Sequence, residues 1–257
     1  MGIPGARLVG RAAIITGAAR GIGLAIAKAY AEEGAAVWLA DVHGGEVEAA
    51  VDAIRAADGK ADGGYCDVRS TDSVHDAVSA AASAFGGLDI LVANAATQTP
   101  AATIDKLEES DWAQALAVNL TGAYHLCKHG IPHLKRAGGG AIILTASQMA
   151  RVGKPGSAVY CATKGALVQL ARTMALDHAD DGIRVNTLSP GGTATDRLVQ
   201  QFGDLEQAEA RWGLPMHPLG RLGRPEEMAA GAVFLASEES SFMTGADLLL
   251  DGGYSAR

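Results

Sequence analysis

Apolar and polar positions follow two alternating periods along this chain. Short continuous apolar runs, AAIIT (12–16), AAVWLA (35–40), GGYCDV (63–68) and LDILVANAA (88–96), read as strands buried on both faces. GGAIILTAS (139–147), IRVNTLSPG (183–191) and DLLLDGG (247–253) continue the series. Between them lie segments whose apolar residues recur every three or four positions. LAIAKAYAEEG (24–34), EVEAAVDAIRAADG (46–59), DSVHDAVSAAASAFGG (72–87) and a long run over 111–131 read as helices. SAVYCATKGALVQLARTMALDHADDG (157–182) predicts a further helix, with Ser157 as N-cap and Gly182 at its end, and PEEMAAGAVFLAS (225–237) another. Seven strands alternating with helices predict a parallel sheet covered on both faces, with right-handed crossovers.

Composition narrows this. The 257 residues contain 33 glycines and only 5% aromatics, which suits many tight strand-to-helix turns better than a β-sandwich. No linker, repeat or charge block divides the chain, so one domain over 1–257 is expected. Residues 1–10 read as a loose arm, and 191–223, with Trp212, Pro215, Met216 and Pro218 but no clean strand, as a lid. The net charge of −8 and the lack of a Lys/Arg run exclude nucleic acid and anionic membrane as partners. Without a signal-like stretch or an 18-residue apolar run, a soluble cytoplasmic chain is expected. Cys66, Cys127 and Cys161 are an odd number without metal-type spacing, and reduced thiols are expected.

Three constellations carry chemistry. Gly17, Gly21 and Gly23 follow the first strand and open a helix, a place where backbone N–H groups and the helix dipole attract phosphate. Their spacing matches neither G-x-G-x-x-G nor a P-loop. Asp41 ends the second strand 24 residues beyond Gly17, close to where an acid meets adenosine ribose hydroxyls in dinucleotide folds. Tyr160 and Lys164 are four residues apart on one helix, so a lysine cation would favour the phenolate. The strand ending at Ser147 would deliver a hydroxyl to the same place. Ser147 is not in G-x-S-x-G, which disfavours a serine hydrolase. His125, His129 and His133 recur every four residues, but no carboxylate completes a metal set, and no metal is expected.

In order and spacing these motifs resemble the short-chain dehydrogenase/reductase family over nearly the whole chain. Thr16 to Gly23, Asn94, Asn119, Ser147, Tyr160, Lys164 and the Ser189-Pro190-Gly191 turn carry the resemblance, with twelve residues between Ser147 and Tyr160. It implies that Tyr160 exchanges a proton with the substrate oxygen, that Ser147 hydrogen-bonds that oxygen, and that Lys164 lowers the tyrosine pKa and holds the nicotinamide ribose. Asn119 would position a proton-relaying water. Gly17, Arg20, Gly21, Ile22 and Gly23 would line the pyrophosphate and ribose, Asp67 and Val68 the adenine, and Asn94 and Ala95 the ribose and nicotinamide side. Backbone groups from Pro190 and Gly191 through Thr193 to Thr195 would meet the nicotinamide amide. Ala93, Ala96 and Thr193 depart from the family's usual residues and touch only fine geometry.

The expected fold is a doubly wound, Rossmann-type sheet in order 3-2-1-4-5-6-7, with the site at the strands' C-terminal edge. The expected reaction is hydride transfer between NAD and a secondary alcohol or carbonyl, since the Asp41 carboxylate would repel a 2′-phosphate while Arg20 can turn to solvent. Rival readings are an NADPH-dependent 3-oxoacyl-carrier-protein reductase and a non-catalytic dinucleotide sensor. Gln148, Arg151 and Lys154 after the serine, with Arg197 and Trp212 in the lid, suggest a small polar substrate such as a sugar or polyol, with room for an anionic group. The resemblance also implies pairing through the helices near 113–128 and 163–177, commonly into a homotetramer.

Overall fold

The run at 12–16 forms β1 (Ala12–Thr16), buried from end to end in a computed structural model that describes residues 6–256. Its side chains alternate between two core layers, Ala13 and Ile15 facing one and Ala12 and Ile14 the other. That is why the run is apolar up to Thr16 at its end.

Around β1, all pairings are parallel. β2 (Ala36–Asp41) and β3 (Lys60–Tyr65) lie on one side. β4 (Ile90–Ala93), β5 (Gly140–Thr145), β6 (Ile183–Pro190) and β7 (Asp247–Leu250) lie on the other. The order is 3-2-1-4-5-6-7, as expected. It reverses between β1 and β4, and the ends of those two strands frame the crevice where ligands bind in open α/β sheets.

One core layer joins the sheet to α1 (Gly21–Glu32), α2 (Gly44–Ala56) and α10 (Pro225–Ala236). The other joins it to α3 (Thr71–Phe85), α5 (Gly122–Arg136) and α6 (Ala158–Asp177). Each fully buried Leu, Ile or Val contributes about 1.5–3 kcal/mol. No helix among the described residues is long and apolar enough to cross a membrane.

Four local expectations need correction. Residues 6–10 are anchored rather than loose: Leu8 is buried, its N–H donates to the Glu33 carbonyl at 2.9 Å, and Arg7 pairs with the Glu33 carboxylate. Residues 1–5 lie outside the described residues. β3 runs three residues earlier than GGYCDV, and Cys66 and Val68 are buried beyond its end. The long helix near 111–131 is α4 (Glu109–Ala115) and α5 joined by a wider π turn, Leu116–Thr121. α6 stops at Asp177, and Ser157 precedes it without a side-chain capping bond. Gly182, at φ +69°, turns the following loop instead.

The segment 191–223 is not bare loop. Thr195 caps α7 (Asp196–Phe202) by accepting from the Leu198 N–H at 3.4 Å. α8 (Leu205–Ala208), a second π turn (Glu209–Gly213) and α9 (Leu214–Met216) follow.

Candidate active site

A cleft of about 1070 Å³ opens at the C-terminal edge of the sheet. Ser147 stands two residues beyond β5 in extended backbone, φ −172°, and is buried. Its Oγ accepts from the Met149 N–H at 3.2 Å, and its hydroxyl lies close enough to Tyr160 to draw that group's pKa down. α6 supplies both Tyr160 and, one turn on, Lys164. The Lys164 Nζ lies 5.7 Å from the tyrosine ring centre and donates to the Thr145 carbonyl at 2.6 Å. The three side chains meet as the spacing predicted.

Their electrostatics differ from the expectation. Burial raises the Tyr160 pKa above its ordinary value; the Ser147 hydroxyl and the Arg197 charge pull it back. Burial, helped by Arg197, pushes the Lys164 ammonium down to about 7. The lysine is therefore much readier to release its proton than a free lysine, and its charge does not bring the tyrosine below its usual range. The cost of taking a cation out of water outweighs the neighbour effect read from a four-residue spacing.

Asn119 sits in the π turn and is buried behind the cleft wall. Its Nδ2 donates to the Thr97 carbonyl at 3.1 Å and to Thr163 Oγ1 at 3.3 Å, while Oδ1 accepts from the Thr97 N–H at 2.7 Å. Thr163 Oγ1 in turn donates to the Tyr160 carbonyl at 2.9 Å. Both hydrogens of the Asn119 amide are thus engaged by protein groups, and Asn119 ties the loop after β4 to the helix carrying Tyr160. Thr97 and Thr163, its partners, escaped the sequence reading because single threonines carry no spacing signal.

The other half of the cleft surrounds the N-terminus of α1. Gly17 and Gly21 have φ +66° and +58°, which only glycine adopts freely. At Gly23 a Cβ would stand 2.1 Å from the Gly17 carbonyl, so this glycine packs the turn rather than lining the cleft. Asn94 locks the turn from β4, its Nδ2 donating to the carbonyls of Thr16 and Gly17 at 3.1 and 3.0 Å. Ala95 donates its N–H to Thr16 Oγ1 at 3.3 Å. No side chain caps α1 and its first turn holds no acid, which leaves the N–H groups of Ile22 and its neighbours facing the cleft. Such a terminus attracts phosphate.

Asp41 is buried at the cleft, accepting from the Ala19 and His43 N–H groups at 3.1 and 3.2 Å. Arg20 is paired with Glu46 at 3.2 Å. Asp67 holds Arg69 at 2.7 Å, and that guanidinium keeps its carboxyl below the usual range. Val68 lines the same end, and Pro190, Gly191, Thr193 and Thr195 line the far side. Two buried atoms in the cleft, Thr145 Oγ1 and Gln148 Oε1, lack a hydrogen-bond partner. A groove with an uncapped helix end, a ribose-length acid and orphaned polar atoms fits a nicotinamide dinucleotide.

Of the residues expected at the substrate, Gln148 and Arg197 line the cleft; Arg151 does not. Its Nε donates to Asp247 at 2.8 Å, because the buried Asp247 carboxylate needs a counter-charge. From α7, Arg197 Nη1 donates to the Ala96 carbonyl at 3.1 Å, and Gln201 donates to Gln98 at 2.9 Å. Lys154 Nζ lies 4.2 Å from the Trp212 ring centre. The 191–223 segment is therefore fastened to both banks of the cleft.

With this geometry in place, comparison with known proteins becomes specific. A family model described as enoyl-(acyl carrier protein) reductase matches residues 17–255. The chain is 41% identical to cis-4-hydroxycyclohexanecarboxylate dehydrogenase from Sinomonas cyclohexanicum, over 96% of this chain and 97% of that protein. It belongs to the short-chain dehydrogenase/reductase family. D-threitol dehydrogenase from Mycolicibacterium smegmatis is 40% identical over 98% of this chain and 95% of its own length. A crystal structure of a short-chain type dehydrogenase/reductase from Mycobacterium marinum superposes with TM-score 0.90 at 37% identity, covering 97% of both chains.

Proposed function

We propose that this member of the family interconverts a secondary alcohol and its carbonyl compound, with NAD as the redox partner, Tyr160 as general acid/base and 191–223 as the lid. The observation that carries the reading is the meeting of Ser147, Tyr160 and Lys164 on the floor of a cleft whose other end holds Asp41. A nicotinamide cofactor bound in this cleft would supply the hydride donor or acceptor for the carbinol carbon. Ser147 Oγ holds the reacting oxygen, and Tyr160 takes the oxygen's proton as the phenolate in oxidation and returns it as the phenol in reduction. Lys164, poised near pH 7, stands one turn below as the next proton-exchanging group.

NAD is favoured over NADP by charge. A 2′-phosphate at Asp41 would meet a buried carboxylate, and Arg20, the cation that could answer it, is held by Glu46. The named relatives act on a ring alcohol and a polyol, both carbinols. Reduction of an acyl chain on a carrier protein, the activity in the family model's description, is a weaker reading. An acidic carrier would dock on a chain of net charge −8 against repulsion.

The test is a panel of secondary alcohols offered with NAD and with NADP. Oxidation of at least one, with higher kcat/KM for NAD, is expected. Failure of every alcohol with both cofactors removes the dehydrogenase reading and leaves a dinucleotide-binding protein. Preference for NADP shows that Arg20 governs the site.

A further inference from the structure

The two ends of the cleft balance charge differently. At the end proposed for the adenosine, each arginine already has a carboxylate: Arg20 with Glu46 at 3.2 Å and Arg69 with Asp67 at 2.7 Å. At the lid end, Arg197 and Lys154 line the cleft, and neither forms a salt bridge among the described residues. Arg197 has a neutral partner, the Ala96 carbonyl, and that one contact at 3.1 Å leaves most of its five N–H donors available. Lys154 lies against the Trp212 ring, where partial burial pushes its pKa down. The acid on this side is Asp196, exposed in the first turn of α7, where the helix dipole stabilises it. A protein with eight surplus negative charges leaves two cations without counter-ions here.

Arg197 is also near the chemistry. Its charge lowers the pKa of both Tyr160 and Lys164. Trp212 and Phe202, 6.4 Å apart between ring centres, line the same cleft.

We propose that the substrate carries a carboxylate across from its carbinol carbon, which Arg197 grips and Lys154 screens at the lid end while Tyr160 and Ser147 hold the hydroxyl. This rests on the dehydrogenase reading above. A carboxylate suits the guanidinium fork, accepting two parallel N–H bonds. It also compensates an ammonium that the tryptophan has partly removed from water. A neutral polyol would leave both cations, which are exposed at the cleft, answered by water alone.

The experiment compares each panel alcohol that turns over as a matched pair, one carrying a carboxylate across from the hydroxyl and the other the near-isosteric carboxamide. 4-Hydroxycyclohexanecarboxylate and its amide are one such pair. The wild type is expected to favour the acid in kcat/KM by about tenfold or more, the size of a charge-assisted hydrogen bond. Arg197→Ala should reduce that acid-to-amide ratio to near one, mainly through KM of the acid, and Arg197→Lys should restore part of it. Lys154→Gln should lower the ratio less. A wild-type ratio at or below one overturns the proposal while leaving the dehydrogenase reading intact. An Arg197→Ala enzyme whose KM for NAD rises with the ratio unchanged also overturns it, placing the arginine on the cofactor. A protein that oxidises no panel alcohol with either cofactor removes the underlying reading, and the proposal with it.

Discussion

Lys164 and Tyr160 respond to the same burial in opposite directions, each toward its neutral form. Lys164 falls from the ordinary lysine value of about 10.4 to about 7. Between those limits the unfolded chain binds the proton and the folded one does not, so stability rises with pH across about 7 to 10. Below 7 the buried cation costs the fold in full. Urea titrations of wild type and Lys164→Met, run from pH 7 to 9.5, should show a steeper rise in the wild type. Parallel curves would contradict the depressed pKa. At Asp41 the expected outcome is a change of cofactor. Asp41→Ala should raise the NADP-to-NAD ratio of kcat/KM by about tenfold or more, as one charge repulsion is lost. It should also cost about 1–3 kcal/mol by leaving the Ala19 and His43 N–H groups unpaired. An unchanged ratio would show that the carboxylate does not face the cofactor. The identities of these residues were legible because fixed spacings carry them. Their charge states were not, since spacing says nothing about desolvation, and Arg151 was misplaced because its partner Asp247 lies 96 positions away.

At the scale of elements, period and punctuation were legible where an element is buried. β1, β5 and β6 match their apolar runs because both faces meet the core. β3, at the sheet edge, is mostly half-exposed, so its apolar signal slid onto Cys66 and Val68, which fold under after it ends. The π turn at Leu116–Thr121 keeps the apolar rhythm of a helix and left no mark in the pattern. It nonetheless places Asn119 against Thr97 and Thr163. Close helix-to-sheet approach is a further property of elements. In α5, a Cβ at Gly130 would stand 2.4 Å from Cδ1 of Leu91, which is fully buried in β4. Gly130→Ala should therefore destabilise the fold by about 1–3 kcal/mol despite alanine's better helix propensity. A urea midpoint equal to or above the wild-type value would contradict this packing.

Across the whole molecule, the parallel sheet was legible from the alternation of strand and helix and its order from the family resemblance, and that order delivers strand ends and helix N-termini to one edge. Assembly is the expectation that most needs measurement. Trp112 on α4, Tyr124 on α5 and Leu176 on α6 are 39%, 49% and 82% exposed, on the helices expected to pair subunits. Large apolar side chains left in water on those elements fit a covered interface. Light scattering at micromolar concentration should give a mass several times that of one chain, and a stable monomer would contradict it. The account's central claim is that Tyr160 moves the proton while the groups around it bind and orient. Its most direct test is kcat of Tyr160→Phe beside wild type, in one assay, with NADH affinity measured on both. The account predicts a fall in kcat of about 10²-fold or more with NADH binding nearly unchanged. Near-wild-type kcat in the phenylalanine variant would contradict it.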